Sequence, residues 1–382
     1  MAHSPTYPLL PFSQLVHEMV RWNPSIYMLG MSMRIVGGAN KKDLWHHAFE
    51  SALLNHPVFQ TKIDWRGRQY QASSRNILDG KYHRISLAEE GDDLIVNGRV
   101  NRILGDGTSL TILMDDINRA YRGEVLPEDD YWGYLEYEEQ QKQSKHYADS
   151  KFRLENEFAD ESIPVRPTID RRLWTFFSPQ VGTFISDYTL LRKSIVHFAK
   201  EQELTLEGFF SLCAALAIAE YCNTDAAALT WAYKGRERPE EQRVFGSLHR
   251  DIPFVIKMKG EGVKAKGELI RQARNQICQG VAHSDYPYTL TAPYNKRWNY
   301  ALNVLRVEDE QELIKFLPQP VELLPYPPQK YAYALLDVEI HESFEHLHII
   351  YRYSATHYKE SSILRFAALV RKYAEWLIDY IS

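Results

Sequence analysis

The sequence predicts an α/β chain built as two similar lobes, each a mixed sheet with packed helices. Three observations predict it. Helix-period and strand-period patterns alternate along the whole chain. A polar stretch ending in the breaker Pro164, Arg166, Pro167 interrupts that alternation near residue 165. After the breaker the same kind of alternation begins again. A length of 382 residues fits about two to three domains. The expected lobes are therefore residues 1–165 and 166–382.

The first lobe opens with a strand, Met31 to Ile35, which alternates until Gly37-Gly38 breaks it. Residues 41–55 put Leu44, Ala48 and Ala52 on one stripe and Trp45, Phe49 and Leu53 on the next, which is a one-faced helix. Pro57 ends it, since proline lacks a donor and disfavours helix in the preceding residue. Asp93 to Val96 reads as a short strand. Thr108 to Tyr121 carries Leu110, Leu113, Ile117 and Tyr121 on one side, with Thr108 or Ser109 able to cap it. Residues 133–155 are rich in Glu, Gln and Lys and read as a solvated helix followed by a connector.

In the second lobe, helices are expected over about 187–201, 205–221 and 263–281. Strands fit Leu229–Tyr233, Tyr300–Val307, Ala332–His341 and Leu347–Tyr353. The last helix runs from Ser361 to Ile381, with Phe366, Leu369, Val370, Tyr373, Trp376, Leu377 and Tyr380 at helical spacing. No short repeat or low-complexity tract is present.

Composition limits the function classes. Lys plus Arg is 45 and Asp plus Glu is 50, a net charge of −5. A whole-chain grip on nucleic acid needs a basic surface, so none is expected. The most apolar run, Phe209 to Tyr221, is 13 residues, well short of the roughly 20 that span a bilayer. It reads as a buried helix, and no membrane span is expected. The N-terminus has no basic start followed by an apolar stretch. Three cysteines, Cys213, Cys222 and Cys278, are too few for a disulfide framework, and a reducing, cytoplasmic compartment is expected.

The chemistry-bearing stretch is Val100 to Gly123, VNRILGDGTSLTILMDDINRAYRG. It runs from a strand through Gly105-Asp106-Gly107 into a capped helix. This segment resembles the HHxxxDG motif of nonribosomal peptide synthetase condensation domains, members of the chloramphenicol-acetyltransferase-like acyltransferases. Tyr7-Pro8-Leu9 with Ser13-Gln14 is similar to the family's opening. Asn55-His56-Pro57-Val58-Phe59-Gln60-Thr61-Lys62 is similar to its HPxLRT strand entry. Gly235-Arg236-Glu237-Arg238-Pro239-Glu240, with Val244, Gly246 and Ile252-Pro253-Phe254, resembles its GRxxPE…VGxFxNTLPLR stretch. Tyr351-Arg352-Tyr353 and the helix after it resemble its closing elements. The resemblance covers nearly the whole chain. It implies a V-shaped two-lobed fold with a central channel. Carrier proteins would present thioester-linked acyl groups there, on a phosphopantetheine arm or CoA, and an amine would attack them. No adenylation or carrier sequence is visible, so such a partner is expected to act in trans. No bound cofactor is implied.

The departures fall on the site. Asn101 and Arg102 stand at the two His positions, and only Asp106 and Gly107 keep their identity. Histidine can take a proton near neutral pH, whereas a guanidinium stays charged. No catalytic residue is therefore assigned with assurance in Asn101, Arg102, Asp106, Gly107. The family's HPxLRT Arg, expected to pair with the motif Asp, is Gln60 here. An unpaired buried carboxylate is costly, so an Arg102–Asp106 ion pair is expected. His249-Arg250-Asp251 replaces the family's Asn-Thr pair. The resemblance makes Arg102, Ser109, Gly235, Arg236, His249, Trp298 and Asn303 candidate channel-binding residues. Ser109 reads as a helix cap rather than a nucleophile, because no Gly-x-Ser-x-Gly elbow surrounds it.

Other histidines have plainer readings. His197 reads as a core residue, His46-His47 as solvent-facing, and His283-Ser284-Asp285 as a polar loop. His346 and His348 share a strand face but lack a third ligand at suitable spacing, so no metal is expected. No phosphate-binding or dinucleotide fingerprint occurs. The expected function is a condensation-like pseudoenzyme that binds a carrier protein or another biosynthetic enzyme. The alternative is an acyltransferase that forms amides by positioning its substrates, since proximity alone can lower a barrier by about 7–11 kcal/mol.

Overall fold

The computed structural model describes residues 6–21, 26–72, 76–171, 180–258, 263–291, 301–307, 314, 317–325 and 334–379. Trp298, Tyr300, Ala332 and Tyr380 lie outside the described residues. The chain forms two compact units. One comprises Met1–Gln141, Lys234–His249 and Glu308–Pro328; the other comprises Lys142–Tyr233, Arg250–Val307 and Gln329–Ser382.

The division falls at Gln141/Lys142 rather than at residue 165. The physical reason is packing. Leu154, Phe158 and Val165 are buried in a cluster with Ala228, Val255, Tyr286 and Tyr288 of the second unit. The polar stretch is two helices, not one, broken at residues 142–144, where Ser144 caps the second by accepting from Tyr147 N at 3.0 Å.

The first unit has two sheets. Strands β1 (Tyr7–Pro8), β3 (Thr61–Ile63) and β4 (Arg68–Gln71) form a small one in the order β1-β4-β3. Strands β2 (Met28–Ile35), β5 (Asp79–Gly80), β6 (His83–Glu90), β7 (Asp93–Asn101) and β12 (Val321–Leu324) form the larger, antiparallel one in the order β12-β2-β7-β6-β5. Its helices are α1 (Pro11–Val20), α2 (Lys42–Asn55), α3 (Gly107–Tyr121) and α4 (Tyr131–Gln141). Helix α2 buries Trp45, Ala48, Phe49, Ala52 and Leu53, while Leu44 is exposed. Helix α3 buries Ile112, Leu113 and Ile117. An apolar recess of about 50 Å³, lined by Met31, Phe49, Leu110 and Met114 among others, remains between these helices and the larger sheet. The distant segment Glu308–Pro328 joins this unit through β12, which pairs Val321 with Ile35. Gln319 also accepts a hydrogen bond from the Trp45 indole at 2.8 Å.

The second unit is one six-stranded mixed sheet. Its strands are β8 (Val181–Asp187), β9 (Ala226–Tyr233), β10 (Arg250–Lys257), β11 (Asn303–Val307), β13 (Leu336–Glu342) and β14 (Leu347–Ser354), in the order β10-β9-β11-β13-β14-β8. Strand β11 runs parallel to both its neighbours. The helices include α5 (Lys145–Glu157), α6 (Arg192–Glu201), α7 (Leu206–Cys222), α8 (Val263–Ala282), α9 (Tyr288–Thr291) and α10 (Glu360–Ile378). Helix α7 is apolar on every side because it is covered on every side; Phe209 through Ala219 are all buried. Among the described residues no single helix is long and apolar enough to cross a membrane.

Strand β10 contains Pro253 and is an edge strand, where a missing N–H is tolerated. Its open edge is occupied by α8 side chains. Gln276 accepts from Val255 N at 3.3 Å, and Gln272 both accepts from Lys257 N at 3.2 Å and donates to Lys257 O at 3.1 Å.

Candidate functional site

The site lies in the first unit, where β7 ends and α3 begins. Asn101 closes β7 and is fully buried. Its amide nitrogen donates to Ile26 O at 2.8 Å, and its carbonyl accepts from Ile103 N at 3.0 Å. Asn101 is thus a pin for the turn that enters β2. Beside it, Tyr27 sits at φ +60°, a region bulky side chains avoid. Its carbonyl accepts from Arg102 N at 2.8 Å.

The chain then turns into α3. Asp106 is the helix cap and Ser109 its reciprocal partner. Asp106 Oδ1 accepts from Ser109 N at 2.9 Å, and Ser109 Oγ accepts from Asp106 N at 3.2 Å. The cap is therefore Asp106 itself, and Ser109 completes the box from the third helical position. Gly105 is required because a Cβ there would lie 2.6 Å from the Phe245 ring; Gly107, which starts the helix, faces open space.

The expected Arg102–Asp106 ion pair is not formed. The partner of Asp106 is Arg236, whose Nη1 and Nη2 donate to its two oxygens at 3.0 Å each. Arg236 also donates to Ser109 Oγ and to the carbonyls of Lys234, Val244 and Gly246. Leu248 N and His249 N donate to Asp106 Oδ2 at 2.9 and 3.2 Å. Burial alone would push the Asp106 carboxyl up, but the Arg236 charge and hydrogen bonds, aided by His249, hold it down at about 2. Arg102 cannot compete, since its backbone is tied to Tyr27 and its guanidinium lies over the Phe12 ring, 4.8 Å from the centroid. Arg102 Nη2 points at His249 Nε2, 3.4 Å away. The His249 ring packs against Phe12 with centroids 4.0 Å apart.

Gly235 makes the return of this segment possible. It has φ +67°, and a Cβ would come within 2.2 Å of Leu248 O. Gly235→Ala is expected to destabilise the chain by about 1–3 kcal/mol. An unchanged urea midpoint would show that the loop accommodates a side chain.

A second buried network fixes the same segment. His56 is fully buried between two carboxylates, with Nδ1 2.7 Å from Asp129 Oδ2 and Nε2 3.2 Å from Asp116 Oδ2. Asp116 also pairs with Arg243 and accepts from Asn55 Nδ2 at 3.1 Å; Asp129 accepts from Phe245 N at 3.1 Å. Burial would lower the His56 pKa, but Asp116 and Asp129 outweigh it and raise it above the ordinary value.

The remaining candidates lie elsewhere. Asn303 belongs to the second unit, where its side-chain oxygen accepts from the Thr230 hydroxyl at 3.1 Å. Trp298 lies outside the described residues. His197 is exposed rather than in a core. His283 binds Ser150 Oγ at 3.0 Å and stacks on His146. His346 and His348 stack on each other at 5.6 Å. No group of three metal-ligating side chains occurs among the described residues. Sequence reasoning missed Phe12 and Tyr27 as neighbours of Arg102. The approach of His249 to Arg102 could not be read from spacing, because 147 residues separate them; only the resemblance grouped the two as channel candidates.

The chain is 25% identical over 285 residues to tyrocidine synthase 3 of Brevibacillus parabrevis, a match covering 70% of this chain and 4% of that relative. The chain therefore spans a small fraction of that relative's length. The condensation domain of the monacolin K polyketide synthase MokA superposes with a TM-score of 0.79 at 12% identity, covering 98% of both chains. The X-domain in the complex of X-domain and OxyB from teicoplanin biosynthesis superposes with a TM-score of 0.77 at 14% identity, covering 99% of this chain and 94% of that one. A family model described as the condensation domain matches residues 102–380. With most of its length matched by that model, this chain belongs to the condensation-domain family.

Proposed function

We propose that this chain is a condensation-family protein that binds a carrier protein or another biosynthetic enzyme and does not itself transfer an acyl group at the motif position. The observation that carries this reading is Arg102 in place of the motif's second histidine, laid over Phe12 and directed at His249. A guanidinium cannot take a proton from an attacking amine. His249 is not assigned the role of base: its ring packs on Phe12 and its Nε2 lies 3.4 Å from the Arg102 guanidinium. The likeness to an X-domain that forms a complex with OxyB supports a recruiting role.

The test offers the purified chain an acyl-loaded carrier, or the matching acyl-CoA, with an amine acceptor. Retention of the carrier without amide above the uncatalysed rate is expected. Amide that forms with the wild-type chain and disappears in Arg102→Ala would overturn the reading.

A further inference from the structure

The six-stranded sheet of the second unit has two edges, β10 and β8. The β10 edge is closed. Pro253 offers no donor there, and Gln276 and Gln272 hold the outward groups of Val255 and Lys257. The edges in the first unit are strands of two to four residues. Strand β8 is seven residues long, with no proline and no lysine. Its register against β14 runs without a bulge from Asp187 opposite His348 to Val181 opposite Ser354. It thus lacks the devices that commonly blunt an edge.

The two ends of β8 fix which backbone groups face outward. Tyr188 N donates to Leu347 O at 2.8 Å, and Ala355 N donates to Gln180 O at 3.0 Å, both in the register of β8 with β14. Bonded and unbonded pairs alternate in an antiparallel ladder. Gly182, Phe184 and Ser186 therefore bond to β14, while Val181, Thr183, Ile185 and Asp187 turn N–H and C=O outward. Asp187 agrees, since its outward carbonyl accepts from Arg371 Nη1 at 2.7 Å. That bond closes the edge at Asp187. The outward groups of Val181, Thr183 and Ile185 have no partner among the described residues. Thr183 is exposed and Ile185 is 56% exposed. On α10, Leu364 and Ala368 precede Arg371 by seven and three residues, so they share its side of the helix. Both are exposed.

We propose that this open edge pairs with the same edge of a second copy of the chain, antiparallel, about a two-fold axis at Thr183. The occupant follows from the order of the outward residues, Val-Thr-Ile, which reads alike in both directions. About Thr183, each Val181 meets Ile185 of the second copy, and Thr183 meets Thr183. β-Branched apolar pairs and Thr–Thr pairs are favourable across strands. Val181 to Ile185 contains no charged side chain, so no like charges meet. The one acid of the strand, Asp187, lies beyond the ladder, where Arg371 ends it. The pairing satisfies the outward N–H and C=O of all three residues in both copies. Leu364 and Ala368 of each copy then flank the seam. Because the β10 edge is closed, association stops at two copies instead of propagating.

The experiment is sedimentation equilibrium of the full chain over roughly 1–100 μM, the range of a small, transient interface. A thiol reductant is included because Cys278 is exposed. Hydrogen exchange of the Val181–Ile185 segment is measured beside it. The mass is expected to rise towards two copies, with exchange of the outward amides slowing as concentration rises. Thr183→Pro removes a donor that the single copy does not use, and Ile185→Lys places a charge in the seam. Each change acts twice about the axis, so each should weaken association about tenfold or more. Circular dichroism checks that each variant is folded. Phe344→Lys alters a residue 88% exposed and outside the seam, and should leave association unchanged. A single copy at every concentration, growth beyond two copies, or association unaffected by Thr183→Pro and Ile185→Lys would each overturn the proposal. So would association lost only in Phe344→Lys. Edge amides of a single copy that slow only when a carrier protein is added would give the edge to that other partner and overturn it too.

Discussion

Arg236→Ala is expected to destabilise the chain by about 3–5 kcal/mol, the cost of leaving a buried carboxylate without its cation. Asp106 would keep its contacts from Ser109 N, Leu248 N and His249 N, which hydrogen-bond the charge but do not neutralise it. The carbonyls of Lys234, Val244 and Gly246 would lose a donor at the same time. Arg236→Lys should recover less than half of the loss, because an ammonium cannot fork to two carboxylate oxygens. Denaturant unfolding followed by tryptophan fluorescence measures both. A loss under about 1 kcal/mol for the alanine variant would mean that water or another cation reaches Asp106 easily. The same pair fixes an acid limit. The Asp106 carboxyl is depressed from 3.8 to about 2, so its contribution is present above 3.8 and disappears as pH falls towards 2.

The second large effect is expected at His56. His56→Ala removes the side-chain partner of the buried Asp129 and opens a cavity beside Asp116, which keeps Arg243 and Asn55, at a cost of about 3–5 kcal/mol. Its pH dependence has the opposite sign to that of Asp106. A histidine whose folded pKa is raised contributes stability fully present below its unfolded value of 6.5 and lost as pH rises through the folded value. His56 therefore contributes a fall in stability on the alkaline side of 6.5, and that contribution should be missing from the pH profile of His56→Gln compared with the wild type. An identical slope in that variant would place the titration elsewhere.

Much of the fold was legible because periodicity reports burial. Helices α2, α3, α7 and α10 occupy nearly the residues their apolar spacing indicates. Strand β8 was not read, although Val181 to Asp187 alternates, because the helix expected next was extended back across its end. Strand β10 was obscured by Pro253, which the edge position tolerates. Around Asp106 the pairings were not legible in the sequence. Arg236 stood in the quoted GRERPE stretch, yet four-residue proximity pointed to Arg102. Sequence distance is informative only when side chains share one regular element, as in helical spacing. Arg102 ends a strand and Asp106 caps a helix, and the intervening turn carries their side chains to different partners.

The return of Lys234–His249 to the first unit has a consequence during synthesis. Asp106 and Arg236 are 130 residues apart. At roughly 5–20 residues per second, Asp106 waits on the order of ten seconds for its counter-charge to leave the ribosome. Through that interval the nascent first unit lacks the strap that satisfies its helix cap, and β12 arrives later still. The second unit's first helices and β9 emerge before the first unit can close. Folding of the two units is thus interleaved in time, and a pause in translation between residues 106 and 234 would prolong the exposure of an incomplete core.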